Sequence, residues 1–450
     1  FILFSNTAYE TPGGLTLAQM MENRRQSRPK TATLPSMKEQ QTGIDQKYTL
    51  VGLSHTFPLT SKVTHFALLQ GSYMDFKNPF ITNFEKRFEN NWGARTYFNY
   101  ENNFSNSKLE TRLGFEGQLG KNNIRNYDNN SGSQGNPQNF DEIKTQNSFF
   151  FINQKFQWNN RLNIDASLAY QNIQYDWKNQ FPTLESDKIK LNNQWLPNIG
   201  ISYKLDKTTF FRGKLGKGSS APTIDELRSS TQQINTQIVA EQGWNKEIGI
   251  RKQLGKILYA EISLFDFRLN DAIVRQQNEQ GQEYFINSGK TKQQGVEFLI
   301  ETRPIETHSN IINSVTFWAS GNLFYFTFED YFKDGKDYSG NRITGVPKAS
   351  LQNVIRIKLF QKLDWDISHY YNSKTPLTDA NSVFGEAYWL GNMNFSYPIV
   401  FGKIKTQFNL QIQNIYNTNY VAGFDINAFG NRFYNPAAKR NFNFGVQASF

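Results

Sequence analysis

The sequence predicts an all-β protein, a transmembrane antiparallel β-barrel, and three observations carry that prediction. Apolar and polar residues alternate over segments of about ten residues, as in strands that cross a bilayer. Such segments recur along the chain, joined alternately by short and long connections. The composition is aromatic yet polar: 15% of the 450 residues are Phe, Trp or Tyr, but only 38% are hydrophobic. A mean hydropathy of −0.62 leaves no apolar run long enough for a helical span.

Two segments show the alternation most clearly. The apolar face of residues 161–177 carries Leu162, Ile164, Ala166, Leu168 and Tyr170. The apolar face of residues 403–414 carries Ile404, Phe408, Leu410 and Ile412. Strands of soluble β-sandwiches also alternate, but they are commonly only about five or six residues long. The length therefore favours strands with one face toward lipid and one toward a polar lumen.

The connections predict how the strands are arranged. Short turns are expected at Pro58–Ser61, Asn159-Asn160, Asp206-Lys207 and Gly255. Long polar stretches, expected as extracellular loops, lie at about 10–45, 76–88, 120–143, 178–192, 218–240, 330–344 and 416–439. Short turns on one side and long loops on the other are typical of outer-membrane barrels. We count about eighteen strands, with antiparallel neighbours throughout.

The overall composition excludes several kinds of functional site and of binding partner. The chain has no cysteine, which excludes disulfide frameworks, thiolate metal sites and cysteine nucleophiles. Its net charge of +10, from 49 basic and 39 acidic residues, favours anionic partners. No block of like charges resembles a nucleic-acid-binding arm, so no nucleic-acid partner is expected. The sequence starts at Phe1 inside a predicted strand, without an initiator Met, and we expect it to be the later part of a longer polypeptide.

The final segment alternates to the last residue. Its apolar face carries Phe442, Phe444, Val446, Ala448 and Phe450. A terminal aromatic residue on an amphipathic last strand resembles the sorting signal read by the bacterial outer-membrane assembly machinery. That machinery is therefore an expected partner, and Phe450 the expected assembly signal.

Deleting Phe450 is expected to reduce the amount of receptor assembled at the cell surface, because the deletion removes the terminal aromatic of the signal. The molecules that do assemble should bind ligand with unchanged affinity, since Phe450 lies far from the long loops. Surface labelling beside a binding assay measures both quantities. Assembly at the original level without Phe450 would contradict the sorting role.

Several patches together resemble one family, the TonB-dependent outer-membrane receptors. Residues 211–227 read FRGKLGKGSSAPTIDEL, similar to the strand and Ala-Pro-Thr…Glu-Leu loop midway along those barrels. The later patches occur in the family's order: Glu241 with Asn245-Lys246-Glu247-Ile248-Gly249, Asn287-Ser288-Gly289, Gly295-Val296-Glu297, Gly345-Val346-Pro347-Lys348, Gln413-Asn414-Ile415-Tyr416-Asn417 with Tyr420, and Asn435-Pro436-Ala437 with Arg440. The ordered set covers roughly residues 200–450 and is far more specific than any single patch.

The N-terminal part resembles one branch of that family, the ferric-citrate type. The matching patches are Tyr9 to Gln19 (YETPGGLTLAQ) and Asn78 to Glu85 (NPFITNFE). Receptors of this branch import ferric chelates, so the resemblance implies iron acquisition. It also implies an inner-membrane energy-coupling partner of the TonB type and a location in the bacterial outer membrane.

Two features depart from the family pattern. Ser219-Ser220 occupies the place of the aromatic-Arg pair that usually precedes Ala-Pro-Thr, so a role for that Arg is in doubt. The family's barrels have 22 strands around an N-terminal plug, the strand number typical of plugged transporters. About eighteen strands leave about four strands and the plug unaccounted for, and we expect neither in this chain.

No enzyme, cofactor or metal site is predicted. His55, His65, His308 and His369 are scattered without ligand spacing. The acidic loop beginning at Asp330 has Phe332 where a calcium loop needs an oxygen ligand.

The candidate ligand-binding residues are Arg24, Arg25 and Arg28 in the first long loop. Guanidinium groups bind both oxygens of a carboxylate at once, which suits an anionic ferric chelate. The competing interpretation is a solvated basic loop that faces anionic lipopolysaccharide.

The sequence thus predicts an outer-membrane receptor that imports a scarce ligand, a ferric chelate of citrate or siderophore type. One alternative is a TonB-dependent receptor for another cargo, such as a glycan, peptide or vitamin. A second is an open diffusion porin, and a third is a structural or adhesive surface protein. A plug and an energy-coupling segment upstream of Phe1 would distinguish a receptor from a porin.

Overall fold

The computed structural model describes residues 1–255, 257–307 and 311–449. The first strands are β1 (Ile2–Glu10), β2 (Gly43–Pro58), β3 (Val63–Pro79), β4 (Phe84–Asn103), β5 (Ser107–Asn130), β6 (Ser133–Trp158), β7 (Leu162–Phe181), β8 (Ser186–Lys190), β9 (Gln194–Lys204), β10 (Thr209–Ser220), β11 (Glu241–Leu254), β12 (Leu258–Asn270), β13 (Ile273–Gln277) and β14 (Glu283–Asn287). They are followed by β15 (Lys290–Glu306), β16 (Ile312–Asp330), β17 (Phe332–Lys333), β18 (Lys336–Asp337), β19 (Ala349–Leu359), β20 (Leu363–Asn372), β21 (Thr375–Pro376), β22 (Phe384–Gly385), β23 (Tyr388–Phe401), β24 (Ile404–Gln413), β25 (Val421–Phe424), β26 (Tyr434–Pro436) and β27 (Asn441–Ser449). Two short helices, α1 (Leu17–Glu22) and α2 (Ile224–Leu227), and a 3₁₀ turn (Phe429–Asn431) lie in connections.

One large antiparallel sheet dominates the fold. It contains 19 strands, of which β8 only extends the pairing of β7 beyond β9. The other 18 strands of this sheet follow one another in chain order. Each is paired with the strand of the sheet that comes next along the chain. This matches the strand number predicted from the sequence. The remaining small strands form separate two-stranded hairpins in the long connections.

The two faces of the sheet differ in chemistry. One face exposes large apolar side chains in cross-strand register, such as Leu53 opposite Leu69, with exposed fractions of 76% and 56%. The other face carries ion pairs between neighbouring strands, including Arg356 Nε to Asp366 Oδ1 at 2.7 Å. A belt of apolar side chains on one face, backed by charged side chains on the other, is the pattern of a strand wall between lipid and a polar lumen. Beyond that belt, toward the β5–β6 hairpin, the apolar face also carries ion pairs such as Lys121 with Glu142.

Connections of different length separate the two ends of the sheet. The predicted short turns lie together at one end, here called the turn end, where Asn159 and Asn160 adopt φ of 49° and 52° and Gly255 a φ of 56°. All of the long connections lie at the opposite end, here called the loop end. No helix in the described part of the chain is long and apolar enough to span a membrane.

Three predicted loops are largely strand. The stretch 120–143 is a continuous hairpin of β5 and β6 with only residues 131–132 between them. The stretch 76–88 shortens to residues 80–83, and 178–192 contains the end of β7 and all of β8. Their polar side chains suggested loops, but an antiparallel ladder pairs backbone groups whatever the side chains are. The sheet therefore continues past its apolar belt.

Two long connections at the loop end were missed by the sequence interpretation. Residues 271–289 contain the hairpin of β13 and β14, and residues 373–387 contain β21 and β22. Short apolar runs in these connections resemble the barrel strands, so the pattern did not separate them. The other predicted loops are present as residues 11–42, 221–240, 331–348 and 414–440.

The sheet curls until the connections next to its first and last strands meet at the loop end. The connection after β1 and the connection before β27 form a β-bridge, in which Leu15 N donates to Tyr434 O at 2.9 Å and Tyr434 N donates to Leu15 O at 3.1 Å. Within the described residues, β1 pairs only with β2 and β27 only with β24. A 22-stranded barrel with a plug outside this chain remains a prediction, and Phe450 lies outside the described residues.

Candidate ligand-binding site

The long connections at the loop end are tied to one another in series by hydrogen bonds. Connection 221–240 is tied to 271–289 where Asn235 Nδ2 donates to Phe285 O at 3.1 Å. Connection 271–289 is tied to 414–440 where Asn427 Nδ2 donates to Arg275 O at 3.0 Å. The Leu15–Tyr434 bridge joins 414–440 to 11–42. These ties make the loop end an ordered layer above the lumen.

Connection 11–42 is folded by a capped helix. Thr16 begins α1 with a capping box, in which Gln19 N donates to Thr16 Oγ1 at 3.3 Å and Thr16 N donates to Gln19 Oε1 at 3.1 Å. Satisfied end groups allow such a short helix to persist. The helix packs into an apolar cluster of the loop end, formed by Leu15, Met20, Leu377, Ala428, Phe433 and Tyr434.

Asp379 joins four connections through its carboxylate. The side chain of Tyr331 donates to Oδ2 at 2.9 Å, as does Gln276 Nε2 at 2.8 Å. Oδ1 accepts from Thr344 Oγ1 at 2.5 Å and from Asn427 Nδ2 at 3.0 Å. Asp379 is only 5% exposed, and the burial of Tyr331 beside this carboxylate raises the pKa of the Tyr331 hydroxyl. The hydroxyl therefore stays protonated and donates.

The family-like Ala-Pro-Thr segment anchors connection 221–240 to the inner wall. Thr223 caps α2 through Glu226 N, which donates to Thr223 Oγ1 at 3.2 Å. Just beyond the helix, Arg228 is 2% exposed, and its Nε donates to Asp141 Oδ2 at 2.8 Å while NH2 donates to Asn126 Oδ1 at 2.8 Å. The Thr-x-x-Glu pattern signals this cap in the sequence, but the partners of Arg228 could not be read from it.

Two adjoining cavities open between these connections and the sheet. The first, about 390 Å³ in volume, lies among connections 11–42, 271–289 and 414–440. The second, about 450 Å³, lies between the sheet and connections 221–240 and 271–289. They share Asn78, Phe80 and Glu283 in their walls. Together they have the size of a small-molecule binding site.

The first cavity holds arginines that lack carboxylate partners. Arg28 and Arg432 have no carboxylate within 4.0 Å among residues 1–255, 257–307 and 311–449. The Nε of Arg28 is buried without a hydrogen-bond partner in the same set of residues. Burial, and then the charge of Arg432, lower the pKa of Arg28, as expected for two guanidinium groups that line the same cavity. An anionic group between them would relieve that repulsion.

The second cavity differs, because its charges are paired. Arg87 NH2 contacts Glu85 Oε1 at 2.9 Å and Asp225 Oδ1 at 2.6 Å. Arg275, in the wall of the first cavity, is likewise paired with Glu283 and lies 3.8 Å from Asp425. Among the described residues that line the first cavity, Arg28 and Arg432 are thus the arginines without a carboxylate within 4.0 Å, and Glu279 is a carboxylate without a cation within that distance.

The three predicted binding residues have different environments. Arg28 lines the first cavity. Arg24 instead fixes the loop, since its NH2 donates to Tyr420 O at 2.5 Å. Arg25 is exposed and away from both cavities. The structure therefore brings one of the three to the candidate site, and ligand contact by any of them remains a proposal.

Sequence reasoning missed Arg432 and the paired Arg275. Arg432 lies in the connection before the last strand, and its NH1 donates to Gln19 Oε1 of α1 at 3.0 Å. Burial lowers the pKa of Arg432. No sequence spacing links residues so far apart, although both belong to long connections that the pattern had located.

Metal-binding groups are not assembled at this end. Within the described residues, no group of three or more His, Asp or Glu could hold a metal ion. His65 Nε2 hydrogen-bonds with Thr96 Oγ1 of the neighbouring strand at 2.7 Å, and His369 of β20 stacks on Tyr416 of connection 414–440. His308 lies outside the described residues.

Comparison with known proteins identifies the class. The family described as "TonB dependent receptor-like, beta-barrel" matches residues 4–418. The chain belongs to this family of TonB-dependent receptor β-barrels, as the ordered sequence patches had indicated.

Solved structures share the fold. The unliganded ferric citrate transporter FecA is 16% identical, with a TM-score of 0.79 over 99% of this chain and 66% of that chain. The siderophore receptor PiuA from Acinetobacter baumannii is 13% identical, with a TM-score of 0.74 over 99% of this chain and 70% of that chain. The ferric yersiniabactin uptake receptor FyuA from Yersinia pestis is 13% identical, with a TM-score of 0.70 over 100% of this chain and 67% of that chain. The present chain thus spans about two thirds of their length.

Proposed function

We propose that this chain is the barrel portion of an outer-membrane receptor that imports a ferric chelate, of citrate or siderophore type, by TonB-dependent transport. The observation that carries the proposal is that Arg28 and Arg432 line one cavity of about 390 Å³ and have no carboxylate within 4.0 Å in the described part of the chain. Ferric chelates often present carboxylates, and an arginine fork binds both oxygens of such a group.

The ligand is expected to enter from the loop end. Its anionic group lies between Arg28 and Arg432, while Phe80 and Phe429 offer apolar surface in the same cavity wall. A desolvated charge-assisted hydrogen bond is roughly twice as strong as a neutral one. Scarce ligand is thereby held above the lumen until transport begins.

Passage through the barrel needs no covalent chemistry. The inner face carries paired charges, such as Arg356 with Asp366, so a solvated chelate can move past without losing its hydration. Energy comes from an inner-membrane partner of the TonB type acting on a plug supplied outside this chain. This is receptor chemistry and not enzyme chemistry.

The proposal is tested with the full-length receptor purified in neutral detergent. Titration with ferric citrate, ferric siderophores and their iron-free chelators should give saturable binding of at least one ferric chelate, because the arginine pair attracts its anionic group. Uptake of that chelate by iron-starved cells should stop when the membrane is de-energised. Energy-independent uptake would indicate a diffusion porin, and saturable binding of a glycan, peptide or vitamin alone would indicate another cargo.

A further inference from the structure

The paired charges of the second cavity are unequal in number. Its wall contains four carboxylates and two guanidinium groups, which belong to Glu85, Glu89, Asp225, Glu283, Arg87 and Arg228. The wall of the first cavity contains three of each, which belong to Glu279, Glu283, Asp425, Arg28, Arg275 and Arg432. The excess of negative charge is therefore a property of the second cavity.

The two guanidinium groups do not balance these carboxylates. Arg228 Nε lies 2.8 Å from Asp141 Oδ2, and Arg228 NH1 lies 3.9 Å from Glu85 Oε2. Arg87 is shared by three carboxylates, with contacts to Glu85 Oε1 at 2.9 Å, Asp225 Oδ1 at 2.6 Å and Glu89 Oε1 at 3.7 Å. Two positive charges therefore face four negative charges, with Asp141 included.

Glu283 adds negative charge where the two cavities meet. Its carboxylate pairs with Arg275 of the first cavity. Burial raises the pKa of Glu283, and although Arg275 lowers it, the charges of Asp425 and Asp225 raise it further. The charged form of this carboxylate is thus disfavoured despite its arginine partner, and a further cation nearby would stabilise it.

Aromatic side chains stand beside these carboxylates. The guanidinium carbon of Arg87 lies 5.7 Å from the ring centroid of Phe76, so one cation of the protein already uses an aromatic face here. Phe80 and Phe285 line the same cavity, and Phe80 also lines the first cavity. Aromatic faces attract ligand cations as well as protein cations. The second cavity is therefore suited to an ammonium group on a hydrocarbon arm.

We propose that the second cavity binds a protonated amine of the same ferric chelate whose anionic group lies between Arg28 and Arg432. The ligand is then zwitterionic, with carboxylates at one end and an ammonium group on an arm at the other. Because Phe80 and Glu283 belong to both cavity walls, a short arm reaches from one cavity to the other. The inference rests on the proposed function and specifies which class of ferric chelate the receptor prefers.

The test compares two synthetic ferric chelates that differ in a single charge. In each chelate, two citrates are joined through amide bonds to a seven-atom spacer, whose central atom is either a secondary amine or a methylene group. The amine is protonated at neutral pH, and the two spacers have nearly the same shape. The full-length receptor in neutral detergent should bind the amine chelate about tenfold to a hundredfold more tightly than the methylene chelate, because the amine adds a charge-assisted contact.

The decisive variant is Glu89→Gln/Asp225→Asn, which removes two negative charges and leaves Arg87 with Glu85. It should bring the ratio of the two affinities to about one, because the excess of negative charge is gone. Saturable binding of the methylene chelate by this variant shows that it is folded. The matched control is Glu22→Gln/Glu185→Gln, which removes the same charge at exposed positions outside both cavities and should retain the ratio.

Equal affinity of the unaltered receptor for the two chelates would overturn the inference, as would an amine preference that survives in Glu89→Gln/Asp225→Asn. The proposed function is measured separately with Arg28→Gln/Arg432→Gln, which should weaken both chelates. If both chelates bind equally and both depend on these arginines, the proposed function stands and only the inference fails. If neither chelate binds, the inference is wrong, and titration with other ferric chelates still decides the proposed function.

Discussion

Asp379→Ala will loosen four long connections at once. The substitution removes both carboxylate oxygens and with them hydrogen bonds from Gln276, Tyr331, Thr344 and Asn427. The Tyr331 and Thr344 hydroxyls lose the acceptor that the structure gives them, whereas Gln276 Nε2 keeps Tyr331 Oη at 3.2 Å and Asn427 Nδ2 keeps Arg275 O at 3.0 Å. Each buried donor left unpaired costs about 1–3 kcal/mol, so the local free energy of the loop layer should fall by about 3 kcal/mol or more. Limited proteolysis should then cut connections 271–289, 331–348 and 414–440 much faster.

The barrel itself should survive this change, because none of these hydrogen bonds belongs to the large sheet. An unboiled sample should still migrate differently from a boiled one on a gel. Asp379→Asn should have an intermediate effect, since its amide retains one acceptor oxygen. Asp337→Asn is the matched control, because this carboxylate is exposed and accepts a hydrogen bond from Ser339 N at 2.8 Å, within its own connection. If proteolysis of Asp379→Ala is unchanged, the order of these long connections does not depend on Asp379.

Replacing both unpaired arginines by Gln should remove most of the ligand affinity. A hydrogen bond to a charged group contributes about 1.5–3 kcal/mol, so Arg28→Gln/Arg432→Gln should weaken ferric chelate binding by about a hundredfold to ten-thousandfold. Calorimetric titration of the purified receptor measures the change. The single variants should each account for about half of the lost free energy.

Two neighbouring arginines serve as controls. Arg25→Gln changes an exposed side chain away from the cavity and should leave the affinity unchanged. Arg24→Gln removes the hydrogen bond to Tyr420 O, so proteolysis of connection 11–42 should increase even if ligand still binds. If Arg28→Gln/Arg432→Gln binds ferric chelate as tightly as the unaltered receptor, the cavity between these arginines is not the ligand site.

The alternation of residue types was sufficient to predict the sheet. In β7, for example, Leu162, Ile164 and Leu168 fall on one face in the sequence and in the structure, because side chains in a strand alternate with a period of two. The same rule underestimated β5 and β6, whose loop-end parts are mostly polar and carry only isolated apolar residues such as Ile124 and Ile143. Backbone pairing continues there without a regular apolar alternation to reveal it.

The candidate site was only partly predictable. A basic segment in a long connection was visible from composition, and it contained Arg28. Composition did not distinguish Arg28, which lines a cavity, from Arg24, which donates to a backbone carbonyl, because that difference depends on where connection 414–440 lies. Arg432 and Asp379 were not noticed for the same reason.

The sequence by itself determined the fold class, the family, the strand number and the end of the sheet that carries the long connections. These properties follow from local periodicity and from ordered patches along the chain, both of which act between near neighbours. Only the tertiary structure decided which charged side chains of the described residues lack a partner of opposite charge and which carboxylate joins four connections. Each of these depends on groups separated by up to hundreds of residues, whose contacts arise only when the sheet curls and brings its first and last connections together.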